Sequence, residues 1–196
     1  MNKLLFLLCL LLSAGVSNAD APWRQFLDAP TEKNYFPAAK YIKSDSTCEG
    51  EWHTNYKYAW SLMSLFSLIS SGNENAFKLG LVTHSCLDGG NLGDYYRSVG
   101  LFFEKKPNQF FTIVQEEKLT IDQIMSMVTS SPLELVDKID KQMESAQNRI
   151  HLVETLSVRI DNEIKIKIIS TLNDKLNFLE NIPPHLITPS PNESMD

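Results

Sequence analysis

Between Thr54 and Ile182 the sequence is cut into helix-length pieces by residues that start and stop helices, and this punctuation limits the fold more than any other feature. Tyr58, Leu62, Leu65 and Ile69 recur at steps of four, three and four, with Phe66 beside them, so they line one face of a helix. Gly72-Asn73 ends that run. A second helix is expected from about Glu74 to Leu87, presenting Phe77, Leu81 and Cys86, with Gly89-Gly90 as its stop and Asn91 as the next N-cap. The third, Asn91 to Lys105, shows Leu92, Tyr95, Tyr96, Val99 and Phe103 on one side, and Lys105 and Lys106 suit the negative end of its dipole.

Pro107 stands where a first-turn proline belongs and opens a fourth helix with Phe110, Phe111 and Val114 inward. Thr120 with Gln123, and Ser131 with Pro132 and Glu134, are capping-box patterns that place helix starts near 120 and 131. From Leu133 to Ile182 there is no Gly or Pro, and apolar residues from Val136 through Met143, Ile150, Val153, Ile160, Ile168 and Leu172 to Leu179 recur near helical period. A long C-terminal helix or helical hairpin fits. Val158, Ile160, Ile164, Ile166 and Ile168 also nearly alternate around Asp161-Asn162, which leaves a small β-hairpin over 158–168 as the competing reading. The expected class is all-α: helical hairpins packed in one domain over 54–182.

The N-terminus sets the expected compartment. Lys3 precedes an apolar run, Leu4 to Leu12, that is too short to cross about 30 Å of hydrocarbon, and Val16 and Ala19 form the small-residue pattern of a signal-peptidase site. Residues 1–19 are therefore read as a signal peptide cleaved before Asp20, and the mature chain as periplasmic or secreted. Cleavage leaves 177 residues with 17 basic and 24 acidic side chains, a balance that argues against nucleic acid as a partner. No second apolar stretch of about 20 residues exists, so no membrane-embedded segment is expected in the mature chain. Cys9 leaves with the signal, and the remaining thiols, Cys48 and Cys86, are expected to form a disulfide.

Pro22, Pro30 and Pro37, interleaved with Trp23, Phe26, Tyr35 and Phe36, mark residues 20–53 as an arm with enough apolar surface to pack. Residues 183–196, with Pro183, Pro184, Pro189 and Pro191, read as a disordered tail.

The chemistry-bearing residues are few. His84 near Cys86, and Glu49, Glu51 and His53 near Cys48, would converge if the cysteines join, but oxidised sulfurs cannot ligate and the spacing matches no zinc motif. Asp88-Gly89-Gly90-Asn91-Leu92-Gly93-Asp94 mixes carboxylates and glycines without the ligand spacing of a calcium loop. No metal or other cofactor is expected. No nucleophile elbow, phosphate loop, dinucleotide fingerprint or metalloprotease helix is present, so no catalytic residue is assigned.

The segment from Ser61 to Val114, bent at Gly72-Asn73 and at Lys106-Pro107, resembles the helical pairs of HEAT-type and armadillo-type proteins over about a quarter of the chain. In size, export, charge and disulfide the chain is also similar to small helical immunity proteins of the periplasm, a likeness of class. The two resemblances imply a non-catalytic, exported protein-binding module that engages another exported protein, a basic one given the acidic surface. The contact points expected are Asp88, Asn91 and Asp94 in the loop, with Tyr96 as an anchor; Tyr56 is the other aromatic that reads equally as core or as anchor. The alternative is a small enzyme or ligand carrier with a cleft between hairpins, whose sign would be a pocket of converging polar groups.

Overall fold

Local punctuation governs the observed elements, and every one is helical among the residues that the computed structural model describes, 22–45, 48, 59–132, 135 and 137–183. They are α1 (Pro22–Asp28), α2 (Glu32–Ser44), α3 (Ala59–Ser70), α4 (Glu74–Thr83), a 3-10 turn (His84–Cys86), α5 (Gly89–Lys105), α6 (Pro107–Glu116), α7 (Ile121–Thr129), α8 (Ile139–Glu154) and α9 (Asn162–Glu180). The all-α expectation holds, with no strand among the described residues. The signal peptide, Glu49, Glu51, His53, Tyr56 and residues 184–196 lie outside the described residues. No described helix is long and apolar enough to cross a membrane.

The chain divides into two compact units between Ser64 and Leu65. In the first, the proline-punctuated arm forms two short helices: Pro22 opens α1 and Pro37 sits inside α2. The Asn34 amide donates to the carbonyls of Gln25, at 3.2 Å, and Ala29, at 2.9 Å, which ties the first turn of α2 to the end of α1. Trp23, Phe26, Ala38, Ala39 and Ile42 are buried.

The second unit shows why each bend falls where it does. At the end of α3, the Asn73 N–H reaches back to Leu68 O at 3.1 Å and the Gly72 N–H to Ile69 O at 2.8 Å, a Schellman closure that needs the positive φ of Gly72, +95°. The Asn73 side chain then accepts from the Ala76 N–H at 2.9 Å, so one dipeptide ends α3 and starts α4. Phe77 of α4 packs between Phe102 of α5 and Phe110 of α6, at ring-centroid distances of 4.9 and 5.6 Å. Phe103 and Phe111 close around Phe110, at 5.3 and 5.1 Å. This is the core of the unit, and burial of Phe110, Phe111 and Val114 matches the expected inward face.

Thr120 and Gln123 form the expected capping box at the start of α7. The second expected capping box, Ser131 with Glu134, falls partly on residues 133, 134 and 136, which lie outside the described residues; Leu135 is 3-10 helical, α8 begins at Ile139, and Ser130 and Ser131 accept hydrogen bonds from side chains of α8 and α9. The competing β-hairpin over 158–168 does not form: the Asp161 carboxylate accepts from the Glu163 N–H at 2.7 Å and starts α9, which buries Ile168 and leaves Ile166 67% exposed. The C-terminal alternative realised is the helical hairpin, α8 packed along α9, with α9 also against α7.

Candidate functional site

The expected contact residues cluster at the turn from α4 into α5. The stop and start are not where the glycines suggested. Helix α4 tightens into the 3-10 turn, closed by the Leu87 N–H on His84 O at 3.1 Å, and the chain leaves it extended at Leu87. Asp88 takes the N-cap position of α5 with extended backbone but without a side-chain cap bond. Gly89 and Gly90 are the first helical residues, and Asn91, expected as the cap, lies inside the first turn. The first helical bond runs from the Leu92 N–H to Asp88 O, at 3.1 Å, and Gly89 has a φ of +44°, which a residue with a Cβ rarely adopts.

Within this turn the four named side chains differ. Asp88 and Asn91 are exposed. Asp94 is half-buried and accepts from Arg97 at 2.8 Å, an ion pair one helical turn apart that satisfies its charge locally. The Tyr96 hydroxyl lies 3.0 Å from a ring nitrogen of His84. The imidazole, Tyr95 and Tyr96 form a three-ring cluster with centroids 5.6 to 5.8 Å apart. Burial holds the His84 imidazole below its ordinary pKa of 6.5. Burial, and secondarily Tyr96, push the fully buried Tyr95 phenol well above its usual value, and its hydroxyl finds no hydrogen-bond partner among the described residues. Cys86 in the adjoining turn and Cys48 are disulfide-bonded, as expected.

A second polar cluster was not anticipated. Arg149 of α8, only 1% exposed, donates from Nε to Glu104 Oε1 at 2.6 Å and from Nη1 to the carbonyls of Val128 and Ser130 at 2.6 and 2.8 Å. Ser145 donates to the same Glu104 oxygen at 2.8 Å. Lys175 of α9 adds hydrogen bonds to Thr129 O and to the Ser131 hydroxyl. Two cations thus converge on the carbonyl end of α7, where the helix dipole favours positive charge. Burial first, and then the Arg149 charge, hold the Lys175 amine below its usual pKa. The cluster joins α5, α7, α8 and α9, and among its buried groups Arg149 Nη2 is left without a hydrogen-bond partner among the described residues.

The only sequence signal for Arg149 is its register, three after Ala146 and four before Val153, both buried. Among the described residues no group of three His, Cys, Asp or Glu is placed to hold a metal ion. An open recess of about 340 Å³ lies between α4 and α6, over Ile113 and Val158. Its charged walls pair with one another, Lys78 with Glu116 at 3.6 Å, while Asn108 is spent on the backbone N–H groups of Ser157 and Val158.

The fold and these sites define a class, an all-helical chain with a disulfide and a polar turn at the head of a long helix. Compared with known proteins, the sequence matches no protein-family model, no curated protein and no solved structure.

Proposed function

We propose that this chain is an exported, non-catalytic protein-binding module, released by cleavage after Ala19, that engages a basic exported protein through the turn at the head of α5. The observation that carries the reading is the contrast along one helix. Val99, Gly100, Phe102 and Phe103 at its far end are buried, while Asp88, Gly89, Gly90 and Asn91 are all exposed at its start, with nothing within 4 Å of a Cβ placed on either glycine. An anchored helix thereby holds an acidic tip in solvent at little entropic cost on binding. The disulfide supports an oxidising compartment. The paired helices α3–α4 and α5–α6 support the likeness to helical-hairpin proteins, and by class to immunity proteins. Of the two carboxylates, Asp88 is the one with charge to offer, since Asp94 is matched by Arg97.

The test is association with a partner recovered by pulldown from the native exported fraction. Asp88→Lys should slow association about tenfold at low salt and flatten its salt dependence, with an unchanged helical spectrum. Asp94→Asn should have a smaller effect. Unchanged association by Asp88→Lys discards the turn as the contact, and turnover of a small substrate by the purified chain discards the non-catalytic reading.

A further inference from the structure

Helix α2 carries an exposed face of a different character from the acidic turn of α5. Ala38, Ala39 and Ile42 are buried on one side of it, while Lys33, Phe36, Pro37, Lys40 and Lys43 are exposed on the other. Phe36 is 62% exposed, and the half-buried Tyr35 meets its ring edge-on, with centroids 5.3 Å apart. Lys33 precedes Phe36 by three residues and Lys40 follows it by four, so both stand one turn from the ring on the same face. Lys43 adds a third cation a turn further on. None of the three lysines is in an ion pair among the described residues. Three Lys against the single Glu32 give this helix a net charge of +2, within a chain whose net charge is -6.

We propose that the outer face of α2 docks on an anionic lipid surface, with the Phe36 ring entering the boundary between headgroups and acyl chains and Lys33, Lys40 and Lys43 meeting the lipid phosphates. The complementarity is double: an apolar ring meets an apolar interior, and the surplus cations meet a negative plane. Lysine stems are apolar and flexible, so they can lie along the surface while the ammonium groups stay at phosphate depth. The side of α2 that holds the first unit together, Ala38, Ala39 and Ile42, takes no part and stays buried. The net negative charge of the chain orients the approach, since only a face with surplus cations is drawn to an anionic plane, and charges beyond about 10 Å are screened at 0.1 M salt. An acidic protein would answer the lysines but would also need a pocket for the ring, whereas a bilayer receives both at every point of its surface. One ring and three lysines make the attachment peripheral and reversible.

The test is co-sedimentation of the disulfide-bonded protein from Asp20 onward, which leaves out the apolar run Leu4 to Leu12. The vesicles are phosphatidylcholine alone, or equal parts phosphatidylcholine and phosphatidylglycerol. Binding is expected to the mixed vesicles only, and it should weaken as salt is raised. Each lysine should contribute about fivefold, so Lys33→Gln, Lys40→Gln and Lys43→Gln together should lower the partition coefficient about a hundredfold. Phe36→Ala should lower it about tenfold and leave the salt dependence unchanged, since the ring carries no charge. All four side chains are exposed, and an unaltered helical spectrum checks that the variants fold. No binding to mixed vesicles, equal binding to phosphatidylcholine alone, or a triple variant that partitions like wild type overturns the proposal. Vesicle binding that Phe36→Ala leaves intact and that soluble polyglutamate matches would assign the face to an acidic protein and overturn the lipid assignment. The α5 turn is judged separately, by Asp88→Lys and its protein partner.

Discussion

Helices α4 to α6 and helices α7 to α9 solve the same packing problem with different chemistry. In the first group the centre is aromatic: Phe77, Phe102, Phe103, Phe110 and Phe111 are all buried and touch ring to ring. In the second, the α8 face that turns inward is Ala146, Arg149 and Val153, and a guanidinium occupies the middle of it. The first group is held by area removed from water, which tolerates small shifts of angle. The second buries Ile124, Met127, Val128, Val153, Ile168 and Leu172 as well, and adds to them directional bonds from one planar group to Glu104, Val128 and Ser130, which do not tolerate such shifts. The forked donor sets α8 in register with the carbonyl end of α7.

The largest expected effect follows from that difference. Arg149→Ala strips Glu104 of its cation and leaves the Val128 and Ser130 carbonyls without their donor, and breaking a buried pair from one side costs about 3–5 kcal/mol. Thermal unfolding should fall by about 10 °C for a chain of this size. Arg149→Lys should recover little, because an ammonium cannot reproduce the fork. The aromatic group should behave otherwise: Phe77→Leu keeps an apolar side chain and should cost far less than Phe77→Ala, for which about 3–5 kcal/mol is expected. If Arg149→Lys melts like wild type, the contrast between the two groups is broken.

How much of this was legible depends on the range of the interactions. Gly72-Asn73, Pro107 and the Thr120–Gln123 box act within a few residues on their own backbone, so spacing alone placed those helix ends. The face of α6 was legible for a similar reason, since Phe110, Phe111 and Val114 share one stripe. Arg149 was not, because a cation at an inward position reads as a gap in the stripe, and only Glu104, 45 residues earlier, explains it. The bonds that Ser130 and Ser131 accept from Arg149 and Lys175 were hidden for the same reason, since the donors lie 19 and 44 residues later. In the candidate turn the spacing marked a helix break, but it put the stop at Gly89-Gly90 and the cap at Asn91, whereas Asp88 takes the cap position. The His84–Tyr96 bond was not foreseen, since it spans 12 residues through a turn whose shape no pattern specified.

A smaller effect tests whether the two groups are coupled. A Cβ on Gly100 would lie 2.9 Å from Arg149 Nη2 and 3.0 and 3.1 Å from the backbone oxygens of Ser130 and Met127, which cannot move aside. A Cβ on Gly80 would meet the side chains of Tyr95 in α5 at 2.7 Å and of Ile69 in α3 at 2.9 Å, away from Arg149. Each Gly→Ala change should cost about 1–3 kcal/mol by overpacking. Denaturant melts of the double mutants separate them. Gly80→Ala should add to Arg149→Ala, whereas Gly100→Ala should be non-additive with it by at least about 0.5 kcal/mol, because they strain the same contact. Equal additivity would mean that Gly100 is not the floor on which the guanidinium rests.

The smallest expected effect concerns the seam between the groups, and its sign is the informative part. Helix α6 ends as α3 does: the Leu119 N–H reaches Val114 O at 3.0 Å and the Lys118 N–H reaches Gln115 O at 3.2 Å. The position that Gly72 fills at the end of α3 is filled here by Lys118, at a φ of +54°. A side chain in the left-handed region costs about 1–2 kcal/mol. Introducing glycine would relieve that cost but return about 0.5–1 kcal/mol of backbone entropy to the unfolded chain. The first term is the larger, so Lys118→Gly should stabilise the protein by about 0.5 kcal/mol, seen as a rise in melting temperature of about 1–2 °C. Gly72→Ala, at the same place in the other motif, should lower it, since φ is +95° and the strain is then introduced instead of removed. A fall in melting temperature for Lys118→Gly would show that the lysine holds the bend in place by a contact worth more than its strain, and that the seam is set by its side chain and not by the backbone closure it shares with α3.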